Sequence, residues 1–205
     1  MGASTTGTSS SSGPIRRAGA WLIVGVGVII VINSPRKPGR VVNEAAQGGE
    51  SDGTARVLRD AASRGVQVRI VQRPAARSLH EAAELMGIRP GDIVKTLVVK
   101  RHDGDYLFAL VPGGRKISWA KLRALVGVNK LSLPDASHAL EATGYARGTI
   151  TPFGSSTAWP VFADASIVGR EVSMGAGDHG YSAFVDADAL IAAFEATVAD
   201  ISDPE

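Results

Sequence analysis

Apolar positions along this chain fall into two spacings, one returning every three to four residues and one alternating, and together they predict a mixed set of elements. Thr54 opens a predicted helix with Val57, Leu58, Ala61 and Ala62 on one face and Gly65 as its stop. Val66-Gln67-Val68-Arg69-Ile70 alternates as a strand does. Ser78-Leu79-His80-Glu81 has the Ser-to-Glu spacing of a capping box, and Gly87 ends the helix it starts. Ile93–Lys100 and Tyr106–Val111 are rich in β-formers and flank His102-Asp103-Gly104-Asp105, which predicts a hairpin. Ser118 caps a helix over Trp119–Val126 with Gly127 after it, and Pro134–Ala142 reads as a helix that stops at Gly144. Short strands follow at Pro160–Ala163, Glu171–Met174 and Tyr181–Val185. Asp186 caps a last helix from Ala187 to about Val198, with Leu190, Ile191, Phe194 and Val198 toward the core. Helices and strands mix without a regular βαβ repeat, so the fold class is α+β.

The first fifty residues break this pattern. Met1–Gly13 is a Ser/Thr/Gly run that is expected to be disordered. Arg16-Arg17 precede an apolar stretch, Ala18–Ile32, that is shorter than the ~20 residues needed to span a bilayer. No A-x-A cleavage site follows it. A weak membrane anchor, a poor export signal and a non-native extension from a misplaced translation start all fit. The last is preferred, although the next methionine, Met86, lies inside the domain. The expected organisation is an extension over 1–53, disordered or non-native with one short apolar segment, and a domain over 54–201 that is not membrane-bound.

Composition changes the picture in two places. There is no cysteine, which excludes disulfides, thiolate nucleophiles and Cys-ligated metals, and fits a reducing compartment. The net charge of +2 hides an asymmetry: residues 54–134 hold 15 Lys/Arg against 6 Asp/Glu, and residues 135–205 hold 2 against 11. A basic face built from the first half would attract phosphates, unless these are only solvated helix faces of opposite sign.

Several motifs carry no chemistry on inspection. Gly175 to Gly180 spells G-x-G-x-x-G, but a strand-like run follows it where a dinucleotide site needs a helix, so a turn between strands is the better reading. His80 and Glu84 share a helix face, yet HEAAE is not H-E-x-x-H, and Glu81 already belongs to the capping box. No G-x-S-x-G elbow occurs, so no covalent mechanism is indicated.

Two segments are different. Lys95 stands inside Ile93-Val94-Lys95-Thr96-Leu97-Val98-Val99, where it either snorkels to an edge or presents its ammonium to a pocket; the edge is the commoner fate. The stretch from Gly144 to Gly154, GYARGTITPFG, is either a structural turn or a loop whose glycines let main-chain N–H groups approach a ligand.

Taken together, these segments resemble the YbaK family of aminoacyl-tRNA deacylases, relatives of the editing domain inserted in bacterial prolyl-tRNA synthetases. The likeness rests on Val94-Lys95-Thr96-Leu97, on Thr143-Gly144-Tyr145 followed by Gly148 through Gly154, and on the glycine turn, strand and helix from Gly175 to Phe194. It covers about Thr54 to Ile201. It implies a mixed, largely antiparallel curved sheet with packed helices, and a cytoplasmic enzyme that hydrolyses the ester of mischarged tRNA, typically tRNA for proline carrying cysteine or alanine. No metal or cofactor is implied. Partners would be the mischarged tRNA and, as a further candidate, prolyl-tRNA synthetase.

Carried over by position, Lys95 would meet the substrate near the tRNA 3′ end and Gly148 would lie against the aminoacyl group. Thr96, Thr149, Thr151, Pro152, Phe153, Gly154, Gly180 and Ser182 would shape the substrate pocket, with Thr149 or Thr151 orienting a water. Arg69, Arg73, Lys100, Arg101, Arg115 and Lys116 would dock the acceptor arm. Ser182 stands where the cysteine-removing branch tends to have an aspartate, whereas Pro152-Phe153 is closer to the alanine-removing branch, so the amino acid removed stays open. An activated ester needs only positioned water and a stabilised oxyanion, which suits a chain without an evident nucleophile. The alternative is a non-catalytic module of the same fold that binds tRNA, a nucleotide or a synthetase.

Overall fold

The two β-rich runs around 102–104 form the hairpin that organises the molecule. β2 (Val94–Arg101) pairs antiparallel with β3 (Tyr106–Pro112), with Val94 opposite Pro112 and Lys100 opposite Tyr106. The computed structural model describes residues 52–73, 75–101 and 105–205, so the turn at 102–104, the apolar segment 18–32 and the rest of the expected extension up to residue 51 lie outside the described residues.

Strand alternation gives this hairpin two buried faces. Val94, Val98, Phe108 and Leu110 belong to one apolar cluster, and Val99, Leu107, Ala109 and Val111 to another. β5 (Leu131–Ser132), β6 (Val161–Asp164) and β9 (Thr197–Ala199) extend the sheet in the order β5-β2-β3-β6-β9, with β3, β6 and β9 parallel. The second cluster is covered by α3 (Trp119–Val126), through Leu122, and by Ile201 ahead of β10 (Ser202–Pro204), which pairs with β4 (Arg115–Ile117). The first cluster is closed by a separate antiparallel sheet, β1 (Val68–Gln72), β8 (Tyr181–Asp186) and β7 (Glu171–Gly175), in the order β1-β8-β7. α1 (Asp52–Ser63), α4 (Ala136–Thr143) and α5 (Ala187–Ala193) add Val57, Ala139 and Leu190 to it. The fold is α+β with open, largely antiparallel sheets, as the pattern of elements predicts.

Local rules explain most boundaries. α2 (Leu79–Met86) starts at Ser78, whose hydroxyl accepts from Glu81 N–H at 3.1 Å, and stops at Gly87 with φ +68°. Glu81 reaches back one residue further than a capping box requires, accepting from Arg77 N–H at 2.6 Å. The glycine motif at 175–180 joins β7 to β8 as a turn.

Three expectations are corrected. Thr54 is not a cap: α1 already runs from Asp52, and Thr54 N–H donates to Asp178 Oδ2 at 2.5 Å, so the cap comes from a distant turn. β1 starts two residues later than the alternation suggests. α5 ends at Ala193, because Phe194 turns edge-on to Phe153 at 4.9 Å and Glu195 takes φ +48°, and Val198 is an exposed residue of β9. The elements run from Asp52 to Pro204.

Candidate functional site

A cavity of about 950 Å³ opens between β2, the start of α2, the start of α4, the loop after Gly144 and the β7–β8 turn. Its inner wall combines Val94, Val98, Ile150 and Met174 with the hydroxyl-bearing Thr96, Ser173 and Ser182. Main chain contributes through Gly148, Gly175 and Gly180, which border the same space. The Thr96 Oγ1 atom is buried without a hydrogen-bond partner among the described residues, a state that costs about 1–3 kcal/mol.

The loop over 144–154 is held from behind. Tyr145 is buried, and its hydroxyl donates to Phe153 O at 2.9 Å; burial above all pushes its pKa up to about 12, so it keeps that proton. Thr149 N–H and Oγ1 both donate to Ala146 O, and Gly154 N–H donates to Asp60 at 2.9 Å. The N–H groups of Gly148 and Ile150, which border the cavity, donate to no acceptor among the described residues. Two unengaged amides two residues apart at a cavity wall can hold a developing oxyanion.

The β7–β8 turn lies directly against this loop. Gly177 N–H donates to Thr149 O at 2.9 Å, and a Cβ on Gly175 would overlap the carbonyl oxygens of Ile150 and Thr149. His179, on the same turn, has its Cε1 3.8 Å from where a Cβ of Gly148 would stand.

Of the expected site residues, Lys95, Thr96, Arg73, Gly148, Gly180 and Ser182 border the cavity together. Lys95 has the parity of Leu97 and Val99, so its side chain leaves β2 on the face opposite Thr96. Its ammonium bonds the Arg115 carbonyl and Glu205 Oε1, the latter at 2.6 Å, and this pairing holds the Glu205 carboxyl below its usual range. Thr149, Thr151, Pro152 and Phe153 are buried and do not border the cavity; the Thr151 hydroxyl points to Met174 Sδ at 3.5 Å. The T-P-F-G run therefore roots the loop, while Gly148 and Ile150 face the space.

The expected basic face also divides. Arg69 pairs with Glu171 and lies over the Phe184 ring at 4.4 Å, and Arg115 is bound to Ser202 and Asp200. Lys100 and Arg101 close β2, and Lys116 is exposed on β4. At the cavity mouth, by contrast, the exposed Arg73, Arg77 and Arg147 pair with no carboxylate among the described residues. Arg77, Arg147 and Ser173 escaped the sequence reading, because nothing local distinguishes them from other surface arginines or strand serines.

The architecture defines a class: an α+β domain with one large, mouth-basic, backbone-walled cavity beside its central hairpin. The chain belongs to the aminoacyl-tRNA editing domain family, whose model matches residues 73–193. It is similar to proline–tRNA ligase of Thermosipho africanus, with 36% identity over 85 residues, 42% of this chain and 15% of the ligase. Proline–tRNA ligase of Bacillus licheniformis is 27% identical over 97 residues, 47% of this chain and 17% of the ligase. This chain thus matches only a small part of those synthetases. A crystal structure of a candidate trans-editing enzyme for prolyl-tRNA synthetase superposes with a TM-score of 0.69 and 31% identity, covering 75% of this chain and 98% of that one.

Proposed function

We propose that this chain is a free-standing aminoacyl-tRNA deacylase that removes wrongly attached amino acids in trans, with tRNA for proline as the substrate. The supporting observation is the cavity whose wall offers the N–H groups of Gly148 and Ile150 and whose mouth carries three arginines, all without a partner among the described residues. Membership of the editing-domain family and the likeness to a candidate trans-editing enzyme support the same reading. That work belongs to the translation machinery, so the proposal includes a cytoplasmic location. Among the described residues no helix is long and apolar enough to cross a membrane.

In this reading water attacks the ester carbonyl, the Gly148 and Ile150 amides take the charge that develops on its oxygen, and collapse breaks the bond to the ribose oxygen, which leaves as a hydroxyl with the proton the water gives up. The 3′-terminal ribose and phosphates lie across the mouth, where Arg73, Arg77 and Arg147 neutralise them. Thr96 and Ser182 face the amino-acid side chain. Lys95 adds positive charge at the cavity edge once its ammonium leaves Glu205 for a substrate oxygen.

The direct test is deacylation of tRNA for proline charged with alanine, cysteine or serine. Turnover well above spontaneous hydrolysis with at least one of them is expected. Salt-dependent binding with no turnover would overturn hydrolysis and leave a binding module.

Two further outcomes follow from the charges. Replacing Arg73, Arg77 and Arg147 together by alanine is expected to raise KM for mischarged tRNA and to lower the slope of log affinity against log salt by about 2–3, roughly one per lost phosphate contact. Filter binding at several salt concentrations measures this, and an unchanged slope would place the tRNA elsewhere. Glu205→Gln is expected to raise kcat/KM about two- to fivefold, the range of a surface ion pair, because the carboxylate competes with substrate for Lys95. A value at or below wild type would show that no such competition exists.

A further inference from the structure

The loop that presents Gly148 and Ile150 is closed at its base by a residue outside the segment matched by the family model. Arg56 stands on α1, and the family match begins at residue 73. Its guanidinium donates from Nε and Nη2 to Gly154 O, at 3.2 and 2.6 Å, from Nη1 to Gly144 O at 3.1 Å, and from Nη2 to Thr143 O at 3.4 Å. The same group lies over the Tyr145 ring, 4.4 Å from its centroid. One planar cation thus holds both ends of the loop, the carbonyls of 143–144 and that of 154. A lysine could not do so, because a point charge lacks the fork of fixed donors.

The rest of α1 reinforces the contact. Asp60, one turn further on, accepts from Gly154 N–H. At the helix start, Thr54 N–H donates to Asp178, and Gly53 packs against the backbone of Gly177 so closely that a Cβ would overlap it. The helix therefore touches both pieces of main chain that border the cavity: the 144–154 loop at its base and the 175–180 turn at its tip.

We infer that Arg56 is a positioning residue for the reaction: through the carbonyls of Thr143, Gly144 and Gly154 it fixes where the Gly148 and Ile150 amides meet the substrate, and so sets both rate and discrimination between amino-acid side chains. This rests on the deacylase reading above. Arg56 touches no substrate; it acts through the loop, whose ends Ser156 N–H also ties by donating to Thr143 O at 2.9 Å. Misplacing a catalytic group by about 1 Å costs up to about a hundredfold in rate, which is the scale expected when the base of the loop is released.

The experiment uses the full chain and the variants Arg56→Ala and Arg56→Lys. Steady-state deacylation is measured with tRNA charged with alanine, serine or cysteine, alongside hydrogen exchange of the 144–154 amides. Arg56→Ala is expected to lower kcat about ten- to a hundredfold and to bring the kcat/KM values of the three substrates closer together. KM for the tRNA should change less than kcat, because Arg73 and Arg77 lie outside the loop and only Arg147 moves with it. Exchange should rise across 144–154 and not in β2 or β3. Arg56→Lys should behave like the alanine variant, since charge alone does not hold both ends of the loop.

Loss of activity in proportion to the unfolded fraction, with substrate ratios unchanged, would overturn the positioning role and leave a structural one. Full activity in Arg56→Lys would overturn the two-ended clamp. Wild-type protein without turnover would defeat the deacylase reading and, with it, the catalytic half of the inference. In that case unchanged loop exchange in Arg56→Ala would also remove the clamp itself.

Discussion

Lys95→Ala is expected to lower kcat/KM for mischarged tRNA by about 10²–10³, the scale of losing one donor to a developing oxyanion or its neighbouring phosphate, once the ammonium has turned from Glu205 to the substrate. The thermal midpoint should hardly move. The ammonium is bound only to an exposed carboxylate, Glu205, and to the Arg115 carbonyl, and surface ion pairs of this kind contribute little to stability. Activity and stability are therefore expected to separate. Single-turnover deacylation beside a thermal melt makes the measurement. Unchanged turnover would remove Lys95 from the chemistry and leave the Gly148 and Ile150 amides to act without it. A collapse of the melt would mean that the Lys95–Glu205 contact holds β4 and β10 in place.

Gly175→Ala is expected to damage both stability and activity. The new methyl would overlap the carbonyl oxygens of Ile150 and Thr149, which are backbone atoms and cannot rotate aside. Loop and turn must separate, at about 1–3 kcal/mol for an overpacked contact, or several degrees in midpoint for a domain of this size. Gly148 and Ile150 move with the loop, so kcat should fall by about tenfold or more. Gly91→Ala is the control: a Cβ there meets the Arg170 side chain at 3.5 Å and the Gly113 carbonyl oxygen at 4.0 Å, both ordinary contacts, and neither quantity should change. Equal behaviour of the two variants would mean that the loop–turn contact tolerates separation.

Much of this architecture was legible because its signals are local. Ser78 and Gly87 bracket α2, Ser118 and Gly127 bracket α3, and the runs on either side of 102–104 make the hairpin. Strands β4, β5, β9 and β10 were not legible, being two or three residues each and too short for any period to show. The last helix was drawn too long because Leu190, Ile191, Phe194 and Val198 keep a helical spacing past the point where Phe194 turns onto Phe153. Tertiary packing overrode the pattern there. The G-x-G-x-x-G letters were correctly discounted, since the strand after them was itself readable.

The candidate site divides in the same way. The family resemblance marked Lys95, Thr96, Gly148, Gly180 and Ser182, and these do border one cavity. The expected basic face came from a count of charges along the chain, which carries no information about pairing. Folding brings Glu171 to Arg69, Glu205 to Lys95 and Asp200 to Arg115, and leaves Arg73, Arg77 and Arg147 at the mouth with no carboxylate partner among the described residues.

By itself the sequence determined the longer elements, the caps at Ser78 and Asp186, the hairpin and the stretch of glycines able to expose main-chain amides, because each depends on residues within a few positions of one another. The tertiary structure alone decided which amides stay unengaged, which cations keep their charge for a ligand, and that Arg56 closes a loop whose far end lies 98 residues away along the chain. Such contacts are selected by the packing of whole layers, and no local period or spacing encodes them.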